Sequence, residues 1–234
     1  NSPGGSKVVL SYMSIGEAEN YRWYWEDRWD SNRDGQPDPG APSWLGPENP
    51  EWPGNYKVKY WESDWQQIIF QYLDKIIDAG FDGVYLDIID AYEYWETELN
   101  RPSAAREMVE FVQAIARHAR VIRGKSDFLV FVQNGEELSR YADYVQVVDG
   151  IGREDTWYVD NVPREPRETR SILTCLDTFK RSGKLVLVID YMTRADLIDD
   201  FYAKAKAKGY IPYATVRELD RITINPGHEP DYQV

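Results

Sequence analysis

The amino-acid sequence predicts an α/β fold, specifically a TIM-type (β/α) barrel, and three observations indicate it. Strand-like and helix-like segments alternate along the chain, which is typical of parallel strands joined by crossover helices. The strand-like segments are short and almost continuously apolar, as expected for strands covered on both faces. The chain has 234 residues, 42% of them hydrophobic, which is enough for one sizeable core, so we expect a single domain over residues 1–234.

Six segments rich in Val, Ile, Leu and Tyr are predicted strands: residues 7–13, 83–88, 128–133, 144–148, 184–189 and 209–214. A candidate seventh strand spans residues 217–224. A closed barrel has eight strands, so we expect the first βα unit to be missing from this chain or atypical. A doubly wound open sheet is the alternative fold, but no glycine-rich phosphate loop follows any predicted strand.

Four segments carry apolar residues at helical spacing: residues 63–79, 102–122, 167–181 and 194–208. The first ends at Gly80 and the last at Gly209, and glycine is a common helix stop. Pro102 stands near the start of the second helix, where proline is tolerated. Each helix therefore lies where a crossover between parallel strands is needed.

Residues 21–62 interrupt the alternation. Seven of the nine tryptophans fall between positions 23 and 65, and six prolines fall between positions 37 and 53. A connection of this length inside a compact fold is usually functional, and tryptophan and tyrosine stack on sugar faces as well as filling cores. We therefore expect a functional loop that roofs the site.

Charge and cysteine content exclude several classes of partner. The formal net charge is −13, which would repel nucleic-acid phosphates and anionic lipids. The single cysteine, Cys175, has no partner for an intrachain disulfide, and no apolar run is long enough for a membrane span. The chain begins at Asn1 without methionine, which is compatible with a processed, trimmed or partial product and so with a signal peptide that has been removed. We expect a secreted or periplasmic protein and a monomer.

In a parallel barrel the reactive side chains project from the C-terminal ends of the strands. The polar residues there are mainly acidic: Ser14, Glu17 and Glu19, then Asp87 and Asp90, then Gln133, Asn134 and Glu136, then Asp149, Glu154 and Asp155, and finally Asp190 and Tyr191. His118 and Cys175 lie in predicted helices and His228 lies in the tail, so triad and zinc mechanisms lack their groups. Carboxylates among aromatic residues are instead what glycosidases use.

Asp87 is the first candidate, because it ends an apolar strand. The alternative role for such an aspartate, capping the next helix, fits Asp90 better. For the second carboxylate the residues alone leave Glu154 and Glu136 open. Glu154 follows two glycines and stands near Trp157.

Three runs carry a family resemblance: residues 12–19 (YMSIGEAE), 83–90 (GVYLDIID) and 149–154 (DGIGRE). Together they resemble glycoside hydrolase family 114, which comprises endo-α-1,4-polygalactosaminidases and relatives that include the hydrolase domain acting on the Pel polysaccharide. The likeness spans nearly the whole chain. It implies a (β/α) barrel and cleavage of α-1,4-linked galactosamine polymers, with Asp87 as nucleophile and Glu154 as acid/base.

Two features depart from the family pattern. Its members usually have a further strand before the first run, and the Trp- and Pro-rich loop resembles one bacterial branch whose substrate need not match. With the resemblance, we expect a retaining hydrolase that needs no catalytic cofactor and has polysaccharide as its partner. Its expected substrate-binding residues are Tyr12, Glu17, Asp90, Asn134, Glu136, Trp157, Asp190 and Tyr191. The alternative is a catalytically weak carbohydrate-binding or polysaccharide-assembly protein.

The long loop also contains oxygen-bearing side chains at alternating positions: Asp30, Asn32, Asp34, Gln36 and Asp38. This spacing resembles the start of a calcium loop, with Gly35 at the sixth position. Position twelve is Ala41 and not the bidentate glutamate of an EF-hand. A structural calcium ion is therefore one prediction, and a tight Asp/Gly turn is the other.

Overall fold

A computed structural model of the chain describes residues 7–229. It divides into two compact units, one formed by residues 10–138 and the other by residues 139–229 together with residues 7–9. Each unit contains three parallel strands with helices between them. The prediction of one domain over residues 1–234 stays a prediction.

The first unit runs through the following elements: β1 (Leu10–Ser14), β2 (Glu17–Glu19), a 3-10 turn (Asp27–Trp29), β3 (Leu45–Glu48), β4 (Asn55–Val58), α1 (Ser63–Asp78), β5 (Gly83–Asp87), α2 (Ala91–Thr97), α3 (Ala104–Arg117), a π turn (His118–Ile122), β6 (Leu129–Gln133) and a 3-10 turn (Glu136–Arg140). Strand β5 pairs in parallel with both β1 and β6. Alternation along β5 buries Val84 and Leu86 completely and places Tyr85 and Asp87 together on the other face. The strand thus delivers a carboxylate at its end.

Strands β3 and β4 of the long loop form a small sheet with β2, in which β4 pairs antiparallel with both β2 and β3. Beside it, aromatic rings pack edge-on or tilted: Trp29 against Trp44 at 5.3 Å and Trp44 against Trp65 of α1 at 4.9 Å between ring centroids. These three rings are 5%, 2% and 0% exposed. Much of the tryptophan in this segment therefore forms a core that joins the loop to α1.

The second unit contains α4 (Ala142–Val147), β7 (Gly150–Glu154), β8 (Tyr158–Val159), β9 (Val162–Pro163), α5 (Pro166–Arg181), β10 (Leu185–Tyr191), α6 (Ala195–Lys208) and β11 (Ile211–Thr215). Strand β10 pairs in parallel with both β7 and β11. Short strands β8 and β9 form a hairpin after β7. The register places Ile189 of β10 opposite Glu154 of β7.

Two predicted strands are wrong. Residues 144–148 lie mostly in α4, and the strand follows at Gly150–Glu154. The buried residues Tyr144, Val145 and Val148 have helical spacing, but a short apolar run does not distinguish a helix from a strand. Residues 217–224 form no strand, and Ile222 and Ile224 are 89% and 73% exposed.

The other predicted strands and the four helices are present with shifted ends, whereas α2 and the strands of the long loop are not predicted. Within residues 7–229, no helix combines the length and the apolar character needed to cross a membrane.

Candidate active site

Asp87 ends β5, and two hydrogen bonds hold its carboxylate. The Tyr12 hydroxyl donates to Oδ2 at 2.8 Å, and the backbone N–H of Ile88 donates to Oδ1 at 2.8 Å. The pairing of β1 with β5 explains the first contact, because Ser14 lies opposite Asp87 and Tyr12 is two residues earlier on the same face. Both bonds favour the ionised carboxyl group. Burial is the largest cause that raises the pKa of the Tyr12 hydroxyl, and the charge of Asp87 is the next largest. The hydroxyl therefore stays protonated and remains a donor at neutral pH.

The turn that follows Asp87 is strained and closely packed. Ile88 has φ +59°, a left-handed conformation that is rare for a β-branched residue. Gly16 packs directly against this turn, since a Cβ at position 16 would lie 2.1 Å from the Ile88 carbonyl oxygen and 2.7 Å from the Ala91 Cβ. The N–H of Ile15 also donates to the Asp87 carbonyl at 3.1 Å. The run at residues 12–19 thus fixes the backbone that carries Asp87.

Glu17 belongs to the electrostatic surroundings of Asp87. It is 3% exposed, its Oε1 accepts a hydrogen bond from Asn49 at 2.8 Å, and Lys57 Nζ lies 3.8 Å from the same oxygen. Its Oε2 has no hydrogen-bond partner among the described residues. Burial raises the pKa of Glu17, and the charge of Asp87 adds to the rise.

The end of β6 adds polar groups to the first unit. The Tyr85 hydroxyl donates to Oε1 of Gln133, and Asn134 follows with φ +57°. Glu136 is 3% exposed in the next turn. Asp90 directly precedes α2, but its side chain does not cap that helix, so the capping role considered for it is not seen.

Glu154 is the last residue of β7, rather than a residue beyond the strand. The Tyr191 hydroxyl, on neighbouring β10, donates to its Oε1. Burial is the largest cause that raises the pKa of Tyr191, and this hydrogen bond is the next largest, so the phenol stays protonated and remains a donor. Glu154 is half-buried. Each of the two predicted catalytic carboxylates therefore ends a strand and accepts a hydrogen bond from a tyrosine on an adjacent strand.

Arg217 is a neighbour of this group that the sequence does not reveal. Its Nη2 donates to both carboxylate oxygens of Asp155 at 3.1 Å, and its guanidinium lies 4.3 Å from the ring centroid of Tyr191. Burial raises the pKa of Asp155, although Arg217 acts in the opposite direction. The pair joins positions 62 residues apart, and residues 217–224 resemble a strand, so no local signal identifies it.

Asp190 and Trp157 lie inside the second unit. Asp190 is fully buried, and its carboxylate accepts backbone N–H bonds from Thr156, Trp157 and Tyr158 at 2.7, 2.8 and 2.9 Å. Trp157 is 7% exposed and packs edge-on against Phe201 at 5.8 Å. In this arrangement Asp190 and Trp157 help to hold the segment after Glu154 in place, and the sugar contact predicted for them stays a prediction.

In the segment with alternating oxygens, the side chains accept hydrogen bonds from nearby backbone and hydroxyl groups. Asp30 accepts the N–H groups of Asp34 and Gly35 at 3.1 and 3.0 Å and the Tyr56 hydroxyl at 2.6 Å. Asn32 and Asp34 likewise accept backbone N–H groups two residues ahead, and Asp38 accepts the N–H and hydroxyl of Ser31. No group of three or more Asp, Glu, His or Cys residues in the described chain could hold a metal ion. The geometry favours the Asp/Gly turn, and calcium binding stays a prediction.

The structure thus brings the predicted residues together in two groups. In the first unit Tyr12 contacts Asp87, with Glu17 close enough to affect it electrostatically. In the second unit Tyr191 contacts Glu154. Both groups are built for carboxylate chemistry, and each has a phenol donor on its carboxylate.

Comparison with known proteins also indicates a glycoside hydrolase. A family model described as Glycoside-hydrolase family GH114 matches residues 3–229. An uncharacterized protein of Thermotoga maritima is 42% identical over 236 residues, which cover 95% of this chain and 70% of that protein.

Two solved structures share the fold. The glycoside hydrolase domain of PelA from Pseudomonas aeruginosa has a TM-score of 0.65 at 17% identity, covering 93% of this chain and 81% of that one. Ega3 of Aspergillus fumigatus, in a complex with galactosamine, has a TM-score of 0.67 at 19% identity, covering 91% of this chain and 76% of that one. These likenesses confirm the predicted α/β fold class of the TIM-barrel type.

Proposed function

This chain belongs to glycoside hydrolase family 114 and is a glycoside hydrolase, and we propose that it cleaves α-1,4-linked galactosamine polysaccharide with retention of configuration. The observation that carries the proposal is the matching construction at Asp87 and Glu154, where a strand-end carboxylate accepts a hydrogen bond from a neighbouring tyrosine. The galactosamine bound to Ega3, which has the same fold, supports the choice of sugar.

Asp87 suits the role of nucleophile. A nucleophilic carboxyl group must be ionised, and the donors Tyr12 and Ile88 each stabilise that form. In the first step an oxygen of Asp87 attacks the anomeric carbon, and the bond from that carbon to the leaving oxygen breaks. The product is a glycosyl ester of Asp87.

Glu154 suits the role of acid and base. In the first step its carboxyl proton passes to the leaving oxygen, which becomes a free hydroxyl group. In the second step the carboxylate takes a proton from water, the water oxygen attacks the anomeric carbon, and the ester bond to Asp87 breaks. Tyr191 holds the carboxyl group through a hydrogen bond to one of its oxygens.

The remaining acidic side chains suit a cationic sugar. Glu17 is buried, and its Oε2 has no hydrogen-bond partner within residues 7–229. Asp90 and Glu136, together with the amide of Asn134, follow the ends of β5 and β6. An ammonium group would supply both a compensating charge and a donor for the Oε2 atom of Glu17. The net charge of −13 acts in the same direction, because it attracts a polycation.

The test is release of reducing ends from α-1,4-galactosamine polymer by the wild type and by Asp87→Asn and Glu154→Gln. Loss of general acid–base catalysis lowers the rate by about 10²–10⁴-fold, so we expect at least this loss in Glu154→Gln. Glu51→Gln is the matched control, because Glu51 is an exposed acid of the long loop. NMR of the first product identifies its anomer, and the inverted anomer would refute retention. A wild type that binds the polymer and its N-acetylated form but cleaves neither would support the carbohydrate-binding alternative.

A further inference from the structure

The long loop contains a cavity of about 720 Å³, which lies within the size range of small-ligand sites. Its wall combines two aromatic rings with side chains of both charges: Trp25, Tyr56, Asp27, Arg28, Arg33 and Glu48. All of them belong to the first unit. None of them takes part in the proposed cleavage.

The small sheet separates this cavity from the surroundings of Asp87. Glu17, Ala18 and Glu19 are consecutive on β2, so Ala18 points to the face opposite the two glutamates. Tyr56 is the partner of Ala18 across β4 and shares its face. Glu17 affects Asp87 electrostatically, whereas Tyr56 lines the cavity. The two faces of one sheet therefore serve different places.

The aromatic wall of the cavity is held by ring packing and a hydrogen bond. Trp25 is half-buried and packs against Trp29 at 5.2 Å and Tyr56 at 4.6 Å between ring centroids. The hydroxyl of Tyr56 is fixed on Asp30 at 2.6 Å. A flat ring held in this way loses little entropy when a ligand stacks on it.

Two polar side chains beside the ring can still form hydrogen bonds with a ligand. Within residues 7–229, the side chains of Asp27 and Arg33 make no ion pair or hydrogen bond with the protein, and both are exposed. Donors and acceptors of opposite charge at one mouth suit a neutral, hydroxyl-rich ligand, since hydroxyl groups both donate and accept. For a phosphate, the repulsion by Asp27 and Glu48 would oppose the attraction by the arginines of the same wall.

We propose that this cavity is a second, non-catalytic carbohydrate site, in which one sugar ring of a polysaccharide stacks on Trp25 while Asp27 and Arg33 bind its hydroxyl groups. The site would hold a chain outside the cleavage site and so raise the local concentration of polymer. It goes beyond the proposed function, because it does not depend on which polymer is cleaved.

The indole N–H signals of the full chain in ¹H–¹⁵N NMR spectra test this directly. Trp25→Phe identifies the Trp25 signal among the nine tryptophans. Galactosamine, N-acetylgalactosamine and galactose are then titrated, and we expect at least one to shift that signal in a saturable manner. Loss of one hydrogen bond of about 1 kcal/mol weakens binding about five-fold, so Arg33→Ala and Asp27→Ala should each raise the fitted Kd by about this factor.

Glu51→Ala is the control, because this exposed acid of the same loop does not line the cavity. Its Kd should equal that of the wild type, and melting temperatures show whether each variant is folded. A Trp25 signal that none of the sugars shifts, or a Kd unchanged in both Arg33→Ala and Asp27→Ala, would overturn the proposal. A shift of the signal, together with no release of reducing ends from the galactosamine polymer, would count against the proposed cleavage and would still support this sugar site.

Discussion

Gly16→Ala should damage catalysis through packing alone. The added Cβ would lie 2.1 Å from the Ile88 carbonyl oxygen and 2.7 Å from the Ala91 Cβ, whereas carbon and oxygen in contact lie more than 3 Å apart. The β1–β2 connection or the turn after Asp87 must therefore move by about 1 Å. Gly16 does not have a positive φ, so alanine adds no backbone strain of its own.

The structure gives a magnitude for both stability and rate. Overpacking of this kind costs about 1–3 kcal/mol, which for a chain of this size lowers the melting temperature by about 2–12 °C. A displacement of about 1 Å in a reacting group lowers the rate about 100-fold. We therefore expect a folded Gly16→Ala protein whose kcat for reducing-end release is about one hundredth of that of the wild type.

Gly80→Ala separates the two effects. Gly80 has φ +84° with open space around the added Cβ, so alanine there strains the backbone and lowers the melting temperature, but leaves Asp87 in place. Its kcat below the melting transition should equal that of the wild type. If Gly16→Ala also keeps the full kcat, then Gly16 does not position Asp87 and the reasoning from the close approach is refuted.

Three further predictions rest on single contacts. Tyr12→Phe removes a hydrogen-bond donor worth about 1.5–3 kcal/mol to the charged carboxylate of Asp87, so the acidic limb of the pH profile of kcat/KM should move up by about 1–2 pH units. Tyr191→Phe is the control and should leave that limb unchanged. An acidic limb that does not move in Tyr12→Phe would contradict the role of this contact. Burial raises the pKa of Asp190 to about 6, so its folded form binds a proton more tightly than the unfolded form, whose pKa is near 3.8. The stability that Asp190 contributes is complete below pH 4 and is lost as the pH rises through 6. Between pH 4 and 6.5 the free energy of unfolding, measured with denaturant, should fall by about 1–3 kcal/mol more in the wild type than in Asp190→Asn. The same pH dependence in both proteins would rule this out. The oxygens of the loop at Asp30 accept N–H bonds, which favours the Asp/Gly turn over a calcium site. Millimolar calcium should then leave the melting temperature unchanged, whereas a saturable rise would support the calcium site.

The sequence predicts the helices of this protein better than it predicts its strands. The apolar spacing of α1 and α3 exceeds three turns and leaves little choice, whereas residues 144–148 are too short to distinguish a helix from a strand. The true strand, Gly150–Glu154, contains two glycines, which propensity places in turns. Tertiary pairing with β10 overrides that preference.

The sequence also predicts some residues of the candidate site better than others. Asp87 could be found from its position at the end of an apolar strand, whereas Glu154 needed the family resemblance to be preferred over Glu136. Asp190 also ends up near a strand end, but its carboxylate is used by three backbone N–H groups. An Asp or Glu at the end of a predicted strand indicates only that a carboxylate lies at that edge of the sheet. It does not show whether the group meets substrate or backbone, because that depends on loops whose folding is not local.

One backbone feature links the strand ends to their chemistry. Strands β5, β6 and β7 each end in a polar side chain, and the next residue has a positive φ: Ile88 at +59°, Asn134 at +57° and Asp155 at +52°. A left-handed residue turns the main chain sharply away, so the preceding side chain stands at the edge of the sheet. Such residues cost about 1–3 kcal/mol each where they are strained, and the cost is highest for β-branched Ile88. The packing of Gly16 against Ile88 supplies contacts that hold this conformation, so the run at residues 12–19 is best understood as the support for Asp87.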